Sequence, residues 1–180
     1  MSKRWISVAG VTFFLAAVFC LGFLFFYNRN QRSQAETSSE SKSLINKPFP
    51  HAQLVDIYGA KVDEQFLRRG RVVVVFITTD CDACVEESKF LQTLLGKRRD
   101  VTFYGILPFG KPGDSPDVVE KTFPFKVFYD EGDSFVSNMG INRVPVKVFL
   151  ENGMIKKGWI GAAITDKART SFVEWLDGLR

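Results

Sequence analysis

Hydrophobic and polar positions divide the chain into three stretches of different composition. Residues 5–27 contain no charged side chain, and residues 28–43, "NRNQRSQAETSSESKS", have almost no apolar ones. Residues 44–180 alternate apolar segments with polar ones. A polar stretch such as 28–43 buries too little surface to offset the entropy of ordering. The pattern predicts an N-terminal apolar helix over residues 1–27, a polar linker over 28–43 and one globular domain over 44–180.

The apolar stretch has the length of a membrane span. A helix of 23 residues is about 34 Å long at about 1.5 Å per residue, and a bilayer's hydrocarbon core is about 30 Å thick. A cleaved signal peptide is the alternative, because "SQA" (33–35) offers a small-x-small cleavage site. Since the apolar region of a signal peptide usually has about 7 to 15 residues, we predict an uncleaved signal anchor. Cys20 is interpreted as a small hydrophobic residue of this helix.

Within the domain, the pattern predicts alternating strands and helices around one central strand. The run "RVVVVFI" is apolar on both faces, which is typical of a strand in the middle of a sheet covered by helices. Two short strands and a brief helix precede it. After it the pattern predicts a helix opening near Cys81, a strand, a helix starting near Pro116, a strand, a short helix, a hairpin turning at Asn152–Gly153 and a helix capped by Thr165. This order predicts a three-layer α/β sandwich with a mixed sheet.

Composition and charge exclude some classes of function. A hydrophobic fraction of 46% excludes a wholly disordered chain. The net charge is +4, but the basic residues form no long run, so the sequence does not favour a nucleic-acid partner. The candidate chemistry is therefore sought in the few cysteines.

The segment "TTDCDACVEE" places Cys81 and Cys84 where the central strand gives way to a helix. A spacing of three residues puts both side chains on one helical face, close enough for a disulfide. Unpaired N–H groups and the helix dipole stabilise a thiolate at the first position, and cysteines so placed have lowered pKa values. We therefore predict that Cys81 attacks a disulfide and that Cys84 resolves the mixed disulfide.

Three other interpretations of the cysteine pair are less favoured. A zinc site needs about four ligands, and the domain adds only His51 to the two cysteines. A permanently closed disulfide with two intervening residues removes little entropy from the unfolded chain. Copper handling would need a different cysteine spacing, so His51 is interpreted as a solvated loop histidine.

The motifs taken together resemble a known family. A "VVVVF" strand, C-x-x-C opening a helix, and "NRVPVKVFLENGMIKKGWIG" with a proline at a strand start resemble thioredoxin-fold redoxins. With the N-terminal apolar segment, the chain is similar to the membrane-tethered TlpA-like thiol-disulfide oxidoreductases, over about residues 47–180. The resemblance implies a thioredoxin-like fold and a redox-active Cys81–Cys84 disulfide, with no other cofactor. It also implies that Pro145 is a cis-proline facing the disulfide and that Val144 offers backbone groups to a substrate; taken alone, Pro145 would fit an edge strand.

Glu87 and two aspartates complete the candidate site. TlpA-like proteins often carry glutamate three residues after the second cysteine, so Glu87 is predicted to exchange a proton with Cys84; the alternative is an exposed helix glutamate. The family usually has Trp where this chain has Asp80, and often Pro where it has Ala83. Asp80 and Asp82 bracket Cys81 and either disfavour its thiolate or serve as helix caps or solvated residues.

These features predict a membrane-tethered thiol-disulfide oxidoreductase whose domain faces the periplasm or outer surface. Redox-active cysteines favour that side, and the flanking charges nearly balance. The predicted partners are protein thiols and disulfides, such as those of apocytochromes in cytochrome c maturation, and a membrane electron donor or acceptor. One alternative is a redox-inert thioredoxin-like binding module. A peroxiredoxin-like peroxidase is another, for which Thr78 fits the P-x-x-x-T-x-x-C pattern but Val74 does not.

Overall fold

A computed structural model of the chain describes residues 44–108 and 115–178. The predicted anchor at 1–27, the linker at 28–43 and residues 109–114 of a predicted loop lie outside these ranges. Among the described residues, no helix is both long enough and apolar enough to cross a membrane.

In the described part of the chain, seven strands form one mixed sheet. The strands are β1 (Gln53–Asp56), β2 (Lys61–Val62), β3 (Arg71–Phe76), β4 (Thr102–Leu107), β5 (Lys126–Glu131), β6 (Val146–Glu151) and β7 (Met154–Ile160). A 3-10 helix (Glu64–Arg68) precedes β3, and the α-helices are α1 (Asp82–Leu95), α2 (Pro116–Thr122), α3 (Ser134–Met139) and α4 (Asp166–Asp177). The elements follow the predicted order.

The strand β3 lies near the middle of the sheet, whose order is β2-β1-β5-β4-β3-β6-β7. It pairs in parallel with β4 on one side and antiparallel with β6 on the other. The carboxyl end of β3 therefore lies beside the amino end of β6, and Phe76 pairs with Val146. This edge of the sheet receives the segments that carry the cysteines and Pro145.

Two hydrophobic cores cover the two faces of β3. Val73 and Val75 face one core, which includes residues of α1, α2 and α4. Val72, Val74 and Phe76 face the other, which includes residues of α3 and the 3-10 helix. All five side chains are buried. The prediction of a central strand between helical layers, and so of a three-layer sandwich, is confirmed.

The hairpin between β6 and β7 turns at the predicted dipeptide. Asn152 and Gly153 both have positive φ angles, 51° and 78°. A two-residue turn with both central residues in the left-handed region matches the right-handed twist of the strands, and Asn-Gly is well suited to it. The turn fixes the register between β6 and β7.

Gly105 in β4 provides a test of the packing around the central strands. A Cβ atom there would lie 2.9 Å from side-chain atoms of both Phe125 and Val127. We expect Gly105→Ala to lower the free energy of unfolding by about 1–3 kcal/mol, because overpacking forces side chains from their preferred rotamers. Denaturant unfolding measures the change. Gly96→Ala is the control, since Gly96 has a right-handed helical conformation and no atom within 4 Å of an added Cβ; unchanged stability of Gly105→Ala would contradict this packing.

Candidate functional site

The predicted site residues meet at one edge of the sheet. The backbone N–H of Ile77 donates a hydrogen bond to the carbonyl of Ile106. Beyond Ile77 the chain leaves the sheet and reaches Cys81. Pro145 immediately precedes β6, whose first residue pairs with the last residue of β3. The Val144–Pro145 peptide bond is cis, as the resemblance implies. Strand pairing therefore brings together two segments that are about sixty residues apart in the sequence.

Cys81 occupies the N-cap of α1 and forms a disulfide with Cys84. The Cα atoms of the two cysteines lie 5.2 Å apart. The Cys81 sulfur accepts a hydrogen bond from the backbone N–H of Cys84 at 3.2 Å, and its carbonyl accepts bonds from Cys84 and Val85. Sulfur at this position faces the unpaired N–H groups and the positive end of the helix dipole, which stabilise a negative charge.

The two cysteines differ in exposure. The side chain of Cys81 is partly buried, whereas Cys84 is 1% exposed. A macromolecular substrate can therefore reach the first sulfur but not the second. This asymmetry fits the predicted order, in which Cys81 attacks and Cys84 resolves.

Asp80 and Asp82 are both exposed to solvent. The N-cap position belongs to Cys81, and Asp82 is the first residue of α1. The interpretation of either aspartate as the N-cap residue is therefore wrong. Their charges are screened by water and salt, which weakens the opposition to a Cys81 thiolate.

Glu87 is buried on α1, one turn beyond Cys84, with 1% of its surface exposed. Its Oε1 accepts hydrogen bonds from the Lys147 ammonium at 2.6 Å and from the backbone N–H of Ala163 at 2.9 Å. The alternative interpretation as an exposed helix glutamate is wrong. The carboxyl group lies in the same apolar core as Cys84.

Lys147 is the partner that the sequence reasoning missed. It is 0% exposed, and its Nζ also donates to the carbonyl of Gly161 at 2.5 Å. The rings of Trp159 and Phe172 lie 5.9 and 5.3 Å from the ammonium. Burial lowers the pKa of Lys147, and the charge and hydrogen bond of Glu87 oppose that effect.

Strand register explains why Lys147 points at α1. Its Cα partner on β3 is Val75, whose side chain faces the core that α1 covers. Directly paired residues share one face of a sheet, so Lys147 points to the same side. The signal in the sequence was a single charged residue inside the apolar run "VPVKVFL", where a strand interior predicts an apolar side chain.

Pro145 and Val144 line the other side of the site. Pro145 is buried, and its carbonyl accepts a hydrogen bond from the Gly161 N–H at 2.9 Å. Gly161 thus contacts both Pro145 and, through its own carbonyl, Lys147. Val144 is partly buried and packs against both cores. The predicted contact between the Val144 backbone and a substrate stays a prediction.

His51 lies in the segment before β1 and pairs with Glu64 of the 3-10 helix. Its side chain is 86% exposed. Within residues 44–108 and 115–178, no group of three or more His, Cys, Asp or Glu side chains is arranged to hold a metal ion.

The chain is similar to known proteins that are named for thiol-disulfide exchange. No family model matches the chain. The chain is 28% identical over 166 residues to the thiol:disulfide interchange protein DsbE of Pseudomonas fluorescens biotype C, covering 88% of this chain and 86% of that protein. It is 23% identical over 131 residues to the thiol-disulfide oxidoreductase ResA of Bacillus thuringiensis, covering 69% and 74%.

Solved structures share the fold. The chain matches MTB dsbF in its mixed oxidized and reduced forms with a TM-score of 0.60 and 17% identity, over 73% of this chain and 96% of that one. It matches a secreted Mycobacterium tuberculosis disulfide oxidoreductase homologous to E. coli DsbE with a TM-score of 0.56 and 21% identity, over 68% and 94%. These neighbours confirm the predicted thioredoxin-like α/β fold of the described domain.

The relatives also bear on the predicted family and enzyme class. They support the family of thioredoxin-like thiol-disulfide oxidoreductases for this chain, and they confirm the class of thiol-disulfide oxidoreductase. The roles of the site residues, the absence of a further cofactor and the membrane anchor stay predictions.

Proposed function

We propose that this chain is a membrane-tethered oxidoreductase that exchanges disulfides with proteins outside the cytoplasm. The observation that carries the proposal is the pairing of an accessible Cys81 at a helix N-cap with a buried Cys84. Thiol-disulfide exchange needs a nucleophile that a substrate can reach and a second thiol held close to it. The disulfide in this structure is then the oxidised form of the pair.

In the reducing direction, the Cys81 thiolate attacks one sulfur of a substrate disulfide. The substrate's S–S bond breaks, one substrate sulfur leaves as a thiolate, and the other joins Cys81 in a mixed disulfide. Cys84 then loses its proton and attacks the Cys81 sulfur. The substrate leaves as a dithiol, and Cys81 and Cys84 are oxidised to the disulfide. An electron donor, for which a membrane protein is proposed, returns the pair to the dithiol.

Glu87 is assigned the proton transfer of the second step. Cys84 has almost no contact with solvent, so water has little access to its thiol. A carboxylate one helical turn away, in the same core, supplies a base at that place. When the enzyme's disulfide is reduced, the same group takes a proton from water and delivers it to Cys84.

Val144 and Pro145 are assigned the binding of the substrate chain. An extended substrate segment can add to the backbone at Val144 as a strand adds to a sheet edge, since main-chain hydrogen bonds give affinity with little dependence on side chains. Pro145 is buried beside Gly161, which fixes this segment next to the start of β6. Such a mode suits an enzyme that acts on several unfolded or extended protein segments.

The proposed location and substrates rest on the sequence and the resemblance. Residues 5–27 are long enough and apolar enough to anchor the chain. A disulfide-exchanging pair works more readily in the periplasm or at the outer surface than in the reducing cytoplasm. Disulfides of apocytochromes, as in cytochrome c maturation, are the substrates that the resemblance to TlpA-like proteins implies.

Replacing Cys84 by Ser tests the exchange reaction. We expect the Cys84→Ser chain to accumulate mixed disulfides with envelope proteins through Cys81, because the resolving thiol is missing. Non-reducing electrophoresis, with and without dithiothreitol, measures the adducts. Cys81→Ser is the matched control and should form few or none. A Cys84→Ser chain that traps no partner while remaining folded would favour the redox-inert binding module.

The anchor is tested by fractionation and labelling. We expect the full chain to stay with membranes washed in alkaline carbonate, because an apolar helix of this length inserts stably. In intact spheroplasts first reduced with dithiothreitol, which is then washed out, a membrane-impermeant maleimide should label Cys81 of the Cys84→Ser chain. Residues 44–180 expressed alone are the control and should wash off. Release of the full chain by carbonate, or labelling only after lysis, would contradict the proposed location.

A further inference from the structure

The buried pair of Glu87 and Lys147 is not explained by stability. Burying two charges costs several kcal/mol in desolvation, and apolar residues of similar volume often serve a core as well or better. The residues that follow Lys147 in β6, namely Val148, Phe149 and Leu150, are all apolar and buried. A lysine here therefore calls for a role beyond packing.

The pair leaves one carboxylate oxygen of Glu87 open. Lys147 and the Ala163 N–H both bind Oε1. Oε2 is buried and has no hydrogen-bond partner among the described residues. An unpaired buried acceptor lowers stability, so its presence here calls for an explanation. Glu87 lies one turn beyond Cys84, so both side chains are on the same face of α1.

We propose that Lys147 is a positioning residue for the resolving step: its ammonium holds Oε1 of Glu87, so that Oε2 is fixed as the acceptor of the Cys84 proton. This inference rests on the proposed function and deepens it. Because Nζ also binds the carbonyl of Gly161, the ammonium is itself fixed by the segment after β7. Lys147 thus acts on the reaction through Glu87.

The proton transfer keeps the charge of the buried group constant. Before it, the group consists of a neutral Cys84 thiol, the Glu87 carboxylate and the Lys147 ammonium. The S–H bond breaks and an O–H bond forms at Oε2, which leaves a thiolate, a neutral acid and the same ammonium. The ammonium therefore balances the new thiolate, whose charge would otherwise be buried alone. The thiolate then displaces the substrate sulfur from Cys81, and Glu87 later releases its proton to water.

Stopped-flow oxidation by an aromatic disulfide, dithionitrobenzoate, separates the two steps. The reduced full chain in detergent, carrying Cys20→Ser in every variant so that only the pair supplies thiols, attacks the probe through Cys81 and releases one coloured thiolate. Cys84 then resolves the adduct and releases the second. We expect Lys147→Met to leave the first phase within about twofold of wild type and to slow the second about tenfold to a hundredfold, consistent with loss of general-base catalysis.

The pH profile distinguishes positioning from a structural role. Without the ammonium, a buried carboxylate has no counter-charge and favours its protonated form. The second phase of Lys147→Met should therefore require a higher pH than that of wild type. Lys156→Met is the matched control, since Lys156 lies on the adjacent β7 and is only partly buried. It should show the wild-type rates and pH profile.

A double variant keeps the inference testable if Lys147→Met does not fold. Glu87→Gln with Lys147→Met removes both charges and leaves no unpaired buried ion, which favours folding. Its second phase should match that of Glu87→Gln within about twofold, because Lys147 acts only through Glu87. A double variant about tenfold slower than Glu87→Gln, or one that regains the wild-type rate, would overturn the inference.

The two phases separate the role of Lys147 from the exchange reaction of the cysteine pair. If wild type shows both phases and Lys147→Met has the same second phase and pH profile, only the role of Lys147 is overturned. The same holds if Lys147→Met slows both phases equally. If reduced wild type releases no coloured thiolate, the exchange reaction itself is contradicted.

Discussion

The ion pair between Glu87 and Lys147 is the interaction on which the site depends. It joins α1, which carries both cysteines, to β6, which begins directly after Pro145. Through the carbonyl of Gly161 and the N–H of Ala163 it also fixes the segment that follows β7. The helix α1 is thereby joined to β6 and to the segment after β7, which lie 60 and 76 residues further along the chain. Because the pair is almost completely buried, its charges act on the nearby cysteine with little screening by solvent.

The direction of the strands explains why the chemistry is placed at this edge. β3 runs parallel to β4 and antiparallel to β6, so the end of one strand and the beginning of the other coincide. The chain that leaves β3 enters α1 with Cys81 at its N-cap, where the helix dipole favours a thiolate. The same turn of helix buries Cys84 against the core. Exposure of one sulfur and burial of the other thus follow from the entry of a helix into a packed layer.

Sequence patterns predicted the layers of the fold because each signal is local. The run "RVVVVFI" indicates burial on both faces, Asn152–Gly153 indicates a tight hairpin, and Thr165 indicates the start of a helix. The partner of Glu87 could not be found in this way, since Lys147 lies sixty residues further along the chain. From the sequence, Glu87 could be either a buried or an exposed residue of its helix. The structure decides between the two, because the pairing of Val75 with Lys147 places the lysine on the face of the sheet that α1 covers, where it binds Glu87.

The function depends on reversible exchange of the Cys81–Cys84 disulfide with other thiols. An equilibrium redox titration of the chain against glutathione and dithiothreitol buffers, with thiol labelling as the readout, measures this exchange. We expect one reversible two-electron transition between about −270 and −120 mV, the range of related C-x-x-C proteins. A disulfide that shows no transition within reach of either buffer would contradict reversible exchange at this pair.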